Sequence, residues 1–172
     1  MTQLTEHFSY EELTASDTAV RLGIDNTPPP EITPHLVVNA QGLEQIRKVT
    51  GHALIVHSGY RCEALEKVLC AKDFLAWCAR HDKDPVIAWP EYFARKAHPK
   101  GYATDFICPA FGTPAEIVKI VRASGIKFDE LIEEGVGPNG GGWCHCSFDP
   151  QLRGEVLTAI FTNGTPSYTA VA

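Results

Sequence analysis

Two stretches of this chain carry residues that can do chemistry together. One is His98-Pro99-Lys100-Gly101-Tyr102-Ala103-Thr104-Asp105, and the other is Trp143-Cys144-His145-Cys146-Ser147. A histidine on a loop and a carboxylate on the strand that follows can reach one ion. Gly101 lets the backbone turn between them, and Ala103 alternates with Asp105 so that both face one side of the strand. His145 lies centrally in its own strand and can supply a third ligand. Two imidazoles and one carboxylate, with a fourth position open to water, form the ligand set of a catalytic zinc. By spacing alone, a histidine here is equally well a hydrogen-bonded core residue. His7, His35, His52 and His81 lie in polar or helix-end settings without a partner motif. His57, beside Ser58-Gly59-Tyr60-Arg61, fits either role. Cys144 and Cys146 flank a candidate ligand, but strand alternation turns them to the opposite face, where they read as core thiols.

These residues need elements to hold them. Ser9 and Glu12 have capping-box spacing, so a short helix is predicted from Ser9, and Ser16 starts another that stops at Gly23. Asn26-Thr27-Pro28-Pro29-Pro30 cannot continue a helix and reads as an extended arm. Thr33-Pro34 supplies an N-cap and a first-turn proline, followed by Leu36, Val37, Ala40, Leu43, Ile46 and Val49 at helical spacing up to Gly51. Ala53 to Val56 reads as a strand. From Glu63 to Ala97 the pattern is helical but broken. Tyr102 to Cys108 is the next strand. Thr113-Pro114-Ala115-Glu116 is a second capping box and opens a helix to Gly125. Phe128 to Glu134, Trp143 to Phe148 and Val156 to Thr162 read as three more strands, with a hairpin loop over 135–142 joining the first two. Helices first, then strands with helices between them, make the fold class α+β: a small antiparallel sheet with helices packed on it.

Composition bounds the function. The chain has 172 residues, enough for one domain of ordinary size, here taken as 1–172. Apolar residues at 44% and charged residues at 21% exclude a disordered tail protein. A net charge of −6 argues against phosphate-backbone binding, and no nucleic-acid motif is present. No apolar run approaches a membrane span. The opening Met1-Thr2-Gln3-Leu4-Thr5-Glu6 has neither a basic nor an apolar signal region, so reduced thiols made in a cytoplasm are expected from the six cysteines. We expect a monomer.

The motifs, taken together and in order, resemble the M15 family of zinc peptidases. The resemblance is specifically to the M15A-type D-alanyl-D-alanine carboxypeptidases and phage endolysins. It is carried by Ser58-Gly59-Tyr60-Arg61, His98-x-x-Gly101-x-Ala103-x-Asp105, Phe128-Asp129-Glu130-Leu131-Ile132-Glu133-Glu134 and Trp143-x-His145-x-Ser147-Phe148. Phe8-Ser9-x-x-Glu12-Leu13 and Arg153-x-x-Val156-Leu157-Thr158-Ala159 extend it to nearly the whole chain. The resemblance implies a Hedgehog/DD-peptidase-like fold and a Zn2+ ion held by His98, Asp105 and His145. It implies Glu134 as general base and Arg61 as a contact to a substrate carbonyl or carboxylate. Glu133 is adjacent, and a one-residue misalignment would exchange base and bystander. Arg61 has a second reading, in which it caps a helix or pairs with an acid.

The implied substrate is a peptidoglycan stem peptide, cleaved at a bond containing a D-residue or a D,L junction. The motifs do not separate a D,D-carboxypeptidase from an L-alanyl-D-glutamate endopeptidase. The implied setting is a phage or prophage lysis enzyme made in the bacterial host cytoplasm and acting at the cell wall. The rival reading is a non-catalytic virion structural or wall-binding module that kept the fold. The chain departs from the family pattern in two places. Lys96 stands where the family usually has serine, and Glu66 where it usually has asparagine. Residues 71–95 read as an insertion, either a helical subdomain with its own small core or a wall of the substrate groove.

Overall fold

The computed structural model describes residues 2–137 and 141–171. The caps act where their residue types place them. Ser9 Oγ accepts from Glu12 N ahead of α1 (Tyr10–Thr14), and Ser16 Oγ accepts from Ala19 N ahead of α2 (Asp17–Leu22), which ends at left-handed Gly23. A 3-10 turn over Pro30–Ile32 feeds directly into α3 (Thr33–Thr50). Thr33 therefore lies inside that helix instead of capping it. β1 (Ile55–Ser58) follows, then α4 (Glu63–Leu69), α5 (Ala71–Arg80) and α6 (Trp89–Phe93). β2 (Ala103–Ile107) precedes α7 (Pro114–Ala123), whose Thr113 and Glu116 form a complete capping box. β3 (Glu130–Glu134), β4 (Trp143–Ser147), β5 (Glu155–Thr162) and β6 (Thr165–Ala170) complete the chain. Pro138, Asn139 and Gly140, in the expected hairpin loop, lie outside the described residues. Among the described residues, no helix is long and apolar enough to cross a membrane.

The sheet has six strands in the order β1-β2-β4-β3-β5-β6. It is mixed, not the small antiparallel sheet expected, because β3 and β5 run parallel. The reason lies at the bottom of β3. β4 returns antiparallel to β3, so Ser147 ends beside Asp129, whose N–H donates to the Ser147 carbonyl at 2.8 Å. The chain then passes across the start of β3 through residues 148–154, and Glu155 N donates to the Asp129 carbonyl at 2.9 Å. From there β5 can only run in the direction of β3. Asp129 holds this crossing: its carboxylate accepts from Arg153 Nε at 2.8 Å, Nη2 at 2.6 Å and the backbone N–H at 3.2 Å. β6 was not expected from sequence. Its signal is Asn163-Gly164, both at positive φ, the pair that a tight hairpin turn requires. Pro166 masks it, although proline is tolerated on an edge strand such as β6.

Register divides the sheet into two faces. Phe106 pairs with Cys144, Cys144 with Glu133, and Cys146 with Leu131. Phe106, Leu131, Cys144 and Cys146 are fully buried against Leu36, Leu43 and Ile46 of α3 and Ile117 and Val121 of α7. All six cysteines are free thiols, and the pair flanking His145 belongs to this core face. Asn39 of α3 ties helix to sheet, donating to Thr104 Oγ1 at 2.8 Å and the Ala103 carbonyl at 3.2 Å. The stretch expected to be an insertion packs a second apolar cluster, Trp77, Cys78, Ala88 and Tyr92, with Phe74 and Trp89 against it.

Asp129→Asn should cost about 2 kcal/mol, the scale of a hydrogen bond to a charged group, measured by urea denaturation at neutral pH. The Arg153 hydrogen bonds hold the Asp129 carboxyl below its ordinary value of 3.8, so its contribution is complete above that value. The gap between wild type and variant should therefore close as the pH falls further. A gap that does not change with pH would contradict the clamp.

Candidate metal centre

The opposite face of the sheet carries the polar residues. Ser58, Asp105, His145 and Ile132 occupy one row across β1, β2, β4 and β3, with Trp143 and Glu134 paired two residues further along. Asp105 sits on β2 and His145 on β4 as direct partners. His98 reaches them from the loop between α6 and β2. Gly101, at φ +79, closes that loop, and a Cβ there would meet Ile32 at 2.7 Å.

His98 is fixed from behind. Its Nδ1 donates to the Gly59 carbonyl at 2.7 Å, which leaves the Nε2 lone pair facing the cluster. Gly59 itself is pressed onto the end of α1: a Cβ would sit 2.2 Å from the Leu13 carbonyl oxygen, while Tyr60 N donates to that oxygen at 2.7 Å. The glycine of Ser58-Gly59-Tyr60-Arg61 is therefore needed for close backbone approach, and its carbonyl orients His98.

His98 Nε2 lies 3.2 Å from Asp105 Oδ1 and 3.2 Å from His145 Nδ1, and His145 Nδ1 lies 2.9 Å from Asp105 Oδ1. All three side chains are buried. Zinc bonds of about 2.0–2.2 Å at a tetrahedral angle set neighbouring ligand atoms about 3.3 Å apart. The spacing fits. So does the chemistry: an imidazole nitrogen from each histidine and a carboxylate oxygen, all potential lone-pair donors, converge on one point. A cation at their centre would satisfy all three.

The electrostatics agree. Burial alone would push the Asp105 carboxyl up, but the neighbouring imidazoles and the Arg61 guanidinium outweigh it and hold it well below the carboxylate range. Burial and then the Arg61 charge lower His98, keeping it neutral and able to donate a lone pair. Burial works against a proton on His145, yet the hydrogen bond and charge of Asp105 raise it overall. Glu134 is raised, by burial first, with His145 pulling down and Asp105 pushing up.

The sheet brings Glu134 onto the face of Asp105 and His145, and it turns Glu133 to the core face opposite Cys144. One oxygen of Glu134, Oε2, accepts from Trp143 Nε1 at 2.8 Å. Arg61 is engaged within the protein. Its Nε donates to Ser58 Oγ at 2.8 Å, one terminal nitrogen pairs with Asp105 Oδ2, and the other faces Glu66 Oε2 at 3.6 Å. This is the acid-pairing arrangement, with Asp105 and Glu66 as the acids. Sequence reasoning missed the roles of Trp143, Gly59 and Glu66. For Trp143 a signal existed, since pairing in the hairpin sets it opposite Glu134. For Glu66, only the departure from the family pattern hinted at it.

Residues 6–70 match a family model described as Peptidase M15, so this stretch of the chain is similar to that family. The matched stretch includes Gly59, Arg61 and Glu66 and ends before His98. Neither a curated protein nor a solved structure matches the chain.

Zinc at a hundredfold excess over its Kd should stabilise the protein by about 2.7 kcal/mol, read as a rise in melting temperature. His98→Ala should abolish the rise. The hydrogen bond and charge of Asp105 raise His145 above its ordinary 6.5, so a zinc ion bound through its Nδ1 would displace a proton. Adding zinc in weak buffer near that pH should acidify the solution with wild type and not with His145→Ala.

Proposed function

We propose that the chain is a zinc-dependent peptidase that hydrolyses peptidoglycan stem peptides at the cell wall, at a bond containing a D-residue or a D,L junction. One observation carries the reading: a buried His-Asp-His set with tetrahedral spacing, and a separate buried carboxylate, Glu134, on the same sheet face. The Peptidase M15 match over 6–70 supports it, as does the order of the motifs beyond that stretch.

A zinc ion held by His98, Asp105 and His145 would lower the pKa of water to about 7 and polarise the scissile carbonyl. The protein's own groups supply the rest. Glu134 keeps one oxygen on the Trp143 indole and has the other available to accept a proton from the attacking water. It then passes that proton to the leaving amine as the carbon–nitrogen bond breaks. Burial moves its pKa up toward neutrality, where a carboxylate works better as base and then as acid. Arg61 and the Gly59 carbonyl hold two of the ligands from behind, so the set is oriented before substrate arrives.

Digestion of purified peptidoglycan, with products identified by mass, should release peptides that a chelator suppresses and zinc restores. Glu134→Gln should lower turnover by about 10²- to 10⁴-fold while retaining zinc. Glu133→Gln, on the core face, should change it far less. Binding to the wall without any cleavage would sink the peptidase reading in favour of a wall-binding module. Loss of activity in Glu133→Gln with Glu134→Gln active would overturn the assignment of the base.

A further inference from the structure

The charge around the centre bears on which bond can enter it. Asp105, Glu134 and Glu66 are buried acids, and Arg61 is the one lysine or arginine among the described residues that pairs with any of them. Its Nε and one terminal nitrogen donate to Ser58 and Asp105, the other terminal nitrogen forms an ion pair with Glu66 at 3.6 Å without a hydrogen bond, and its side chain is only 16% exposed. The next cations along the chain are also occupied. Lys96, two residues before His98, pairs with Asp73 at 3.2 Å and lies 4.3 Å over the Tyr92 ring. Lys100 faces Asp149 at 3.6 Å, and Arg153 pairs with Asp129, Glu130 and Glu155. Lys72 donates to the Asn163 carbonyl, four residues beyond the row of Ala159 and Glu134, or roughly 13 Å along the strand.

A carboxylate on the residue just after a scissile bond lies only a few bonds from the reacting carbonyl, so it would sit within this group of acids. Three buried carboxylates against one guanidinium leave two negative charges in excess. A divalent cation in the centre brings the sum to neutral, with nothing over to hold another anion. Glu66 matters most here. With a neutral side chain in its place, the Arg61 nitrogen that now faces it could turn to a substrate carboxylate.

Resting on the peptidase reading, we infer that the site acts on internal bonds whose leaving residue carries no free carboxylate next to the cut, and that Glu66 sets this specificity by balancing the charge of Arg61. The enzyme is then an endopeptidase and not a carboxypeptidase. The leaving side of its substrate is an amide or a continuing chain.

The test begins with the bond cut in peptidoglycan. Synthetic peptides reproducing that bond are made in two forms, with the residue after it ending in a free acid or in a primary amide. The amide should be cleaved with kcat/KM about 10-fold higher or more, since juxtaposed like charges are costly. Calorimetry with Glu134→Gln protein, with and without zinc, should show the same preference in binding. Glu66→Asn should shrink the preference in both measurements. Equal or faster cleavage of the free acid by wild type, or a preference unchanged by Glu66→Asn, overturns the inference. No cut in peptidoglycan or in either peptide by zinc-loaded protein instead overturns the peptidase reading, and the inference with it.

Discussion

Asp105 is a carboxylate taken almost entirely out of water, and the architecture around it can be read as the set of partners it requires. An isolated buried charge would be prohibitively costly, so each of its oxygens must be met. Oδ1 is met by His145 and His98, and Oδ2 by Arg61. Each partner is fixed in turn: His98 by the Gly59 carbonyl, Arg61 by Ser58 and Glu66, and His145 by its place in the strand next to β2. Gly59 can serve only because it has no side chain between it and the end of α1. The loop after β1, the first helix and the acid on α4 are thus joined to the centre through one side chain.

The sheet can present this polar group because period-two alternation keeps its two faces chemically separate. Phe106, Leu131, Cys144 and Cys146 close onto α3 and α7, while Asp105, His145 and Glu134, their immediate neighbours in sequence, face away. The apolar face anchors the strands in register, and that register aligns the donors across β2 and β4. A slip by one residue would exchange Asp105 and His145 with core side chains.

Much of this was legible in the sequence because it is local. The caps at Ser9, Ser16 and Thr113 announce their helices, and the alternation around His145 correctly sends both cysteines to the core. The same alternation separates Glu134 from Glu133. What was not legible depends on distant parts of the chain. The direction of β5 follows from the Asp129–Arg153 crossing beneath β3, which no periodicity encodes. β1 lies later than expected, reaching Ser58, because an irregularity after Val56 lets Ser58 pair with Asp105. Arg61 could be recognised as important, but that its charge is shared between Asp105 and Glu66 required the fold.

The partners of the centre are also far apart along the chain. Gly59 and His98 are 39 residues apart, Asp105 and His145 40, Arg61 and Asp105 44, and His98 and His145 47. The sheet interleaves its strands, with β4 inserted between β2 and β3. Loop-closure entropy must be met before any of these contacts can form, and topologies of this kind fold slowly. No local fragment, neither a hairpin nor a helix pair, contains the ligand set. The three side chains are therefore brought together only by the complete fold. A fragment lacking either β2 or β4 lacks Asp105 or His145, so any metal affinity would be a property of the whole native state and not of its parts.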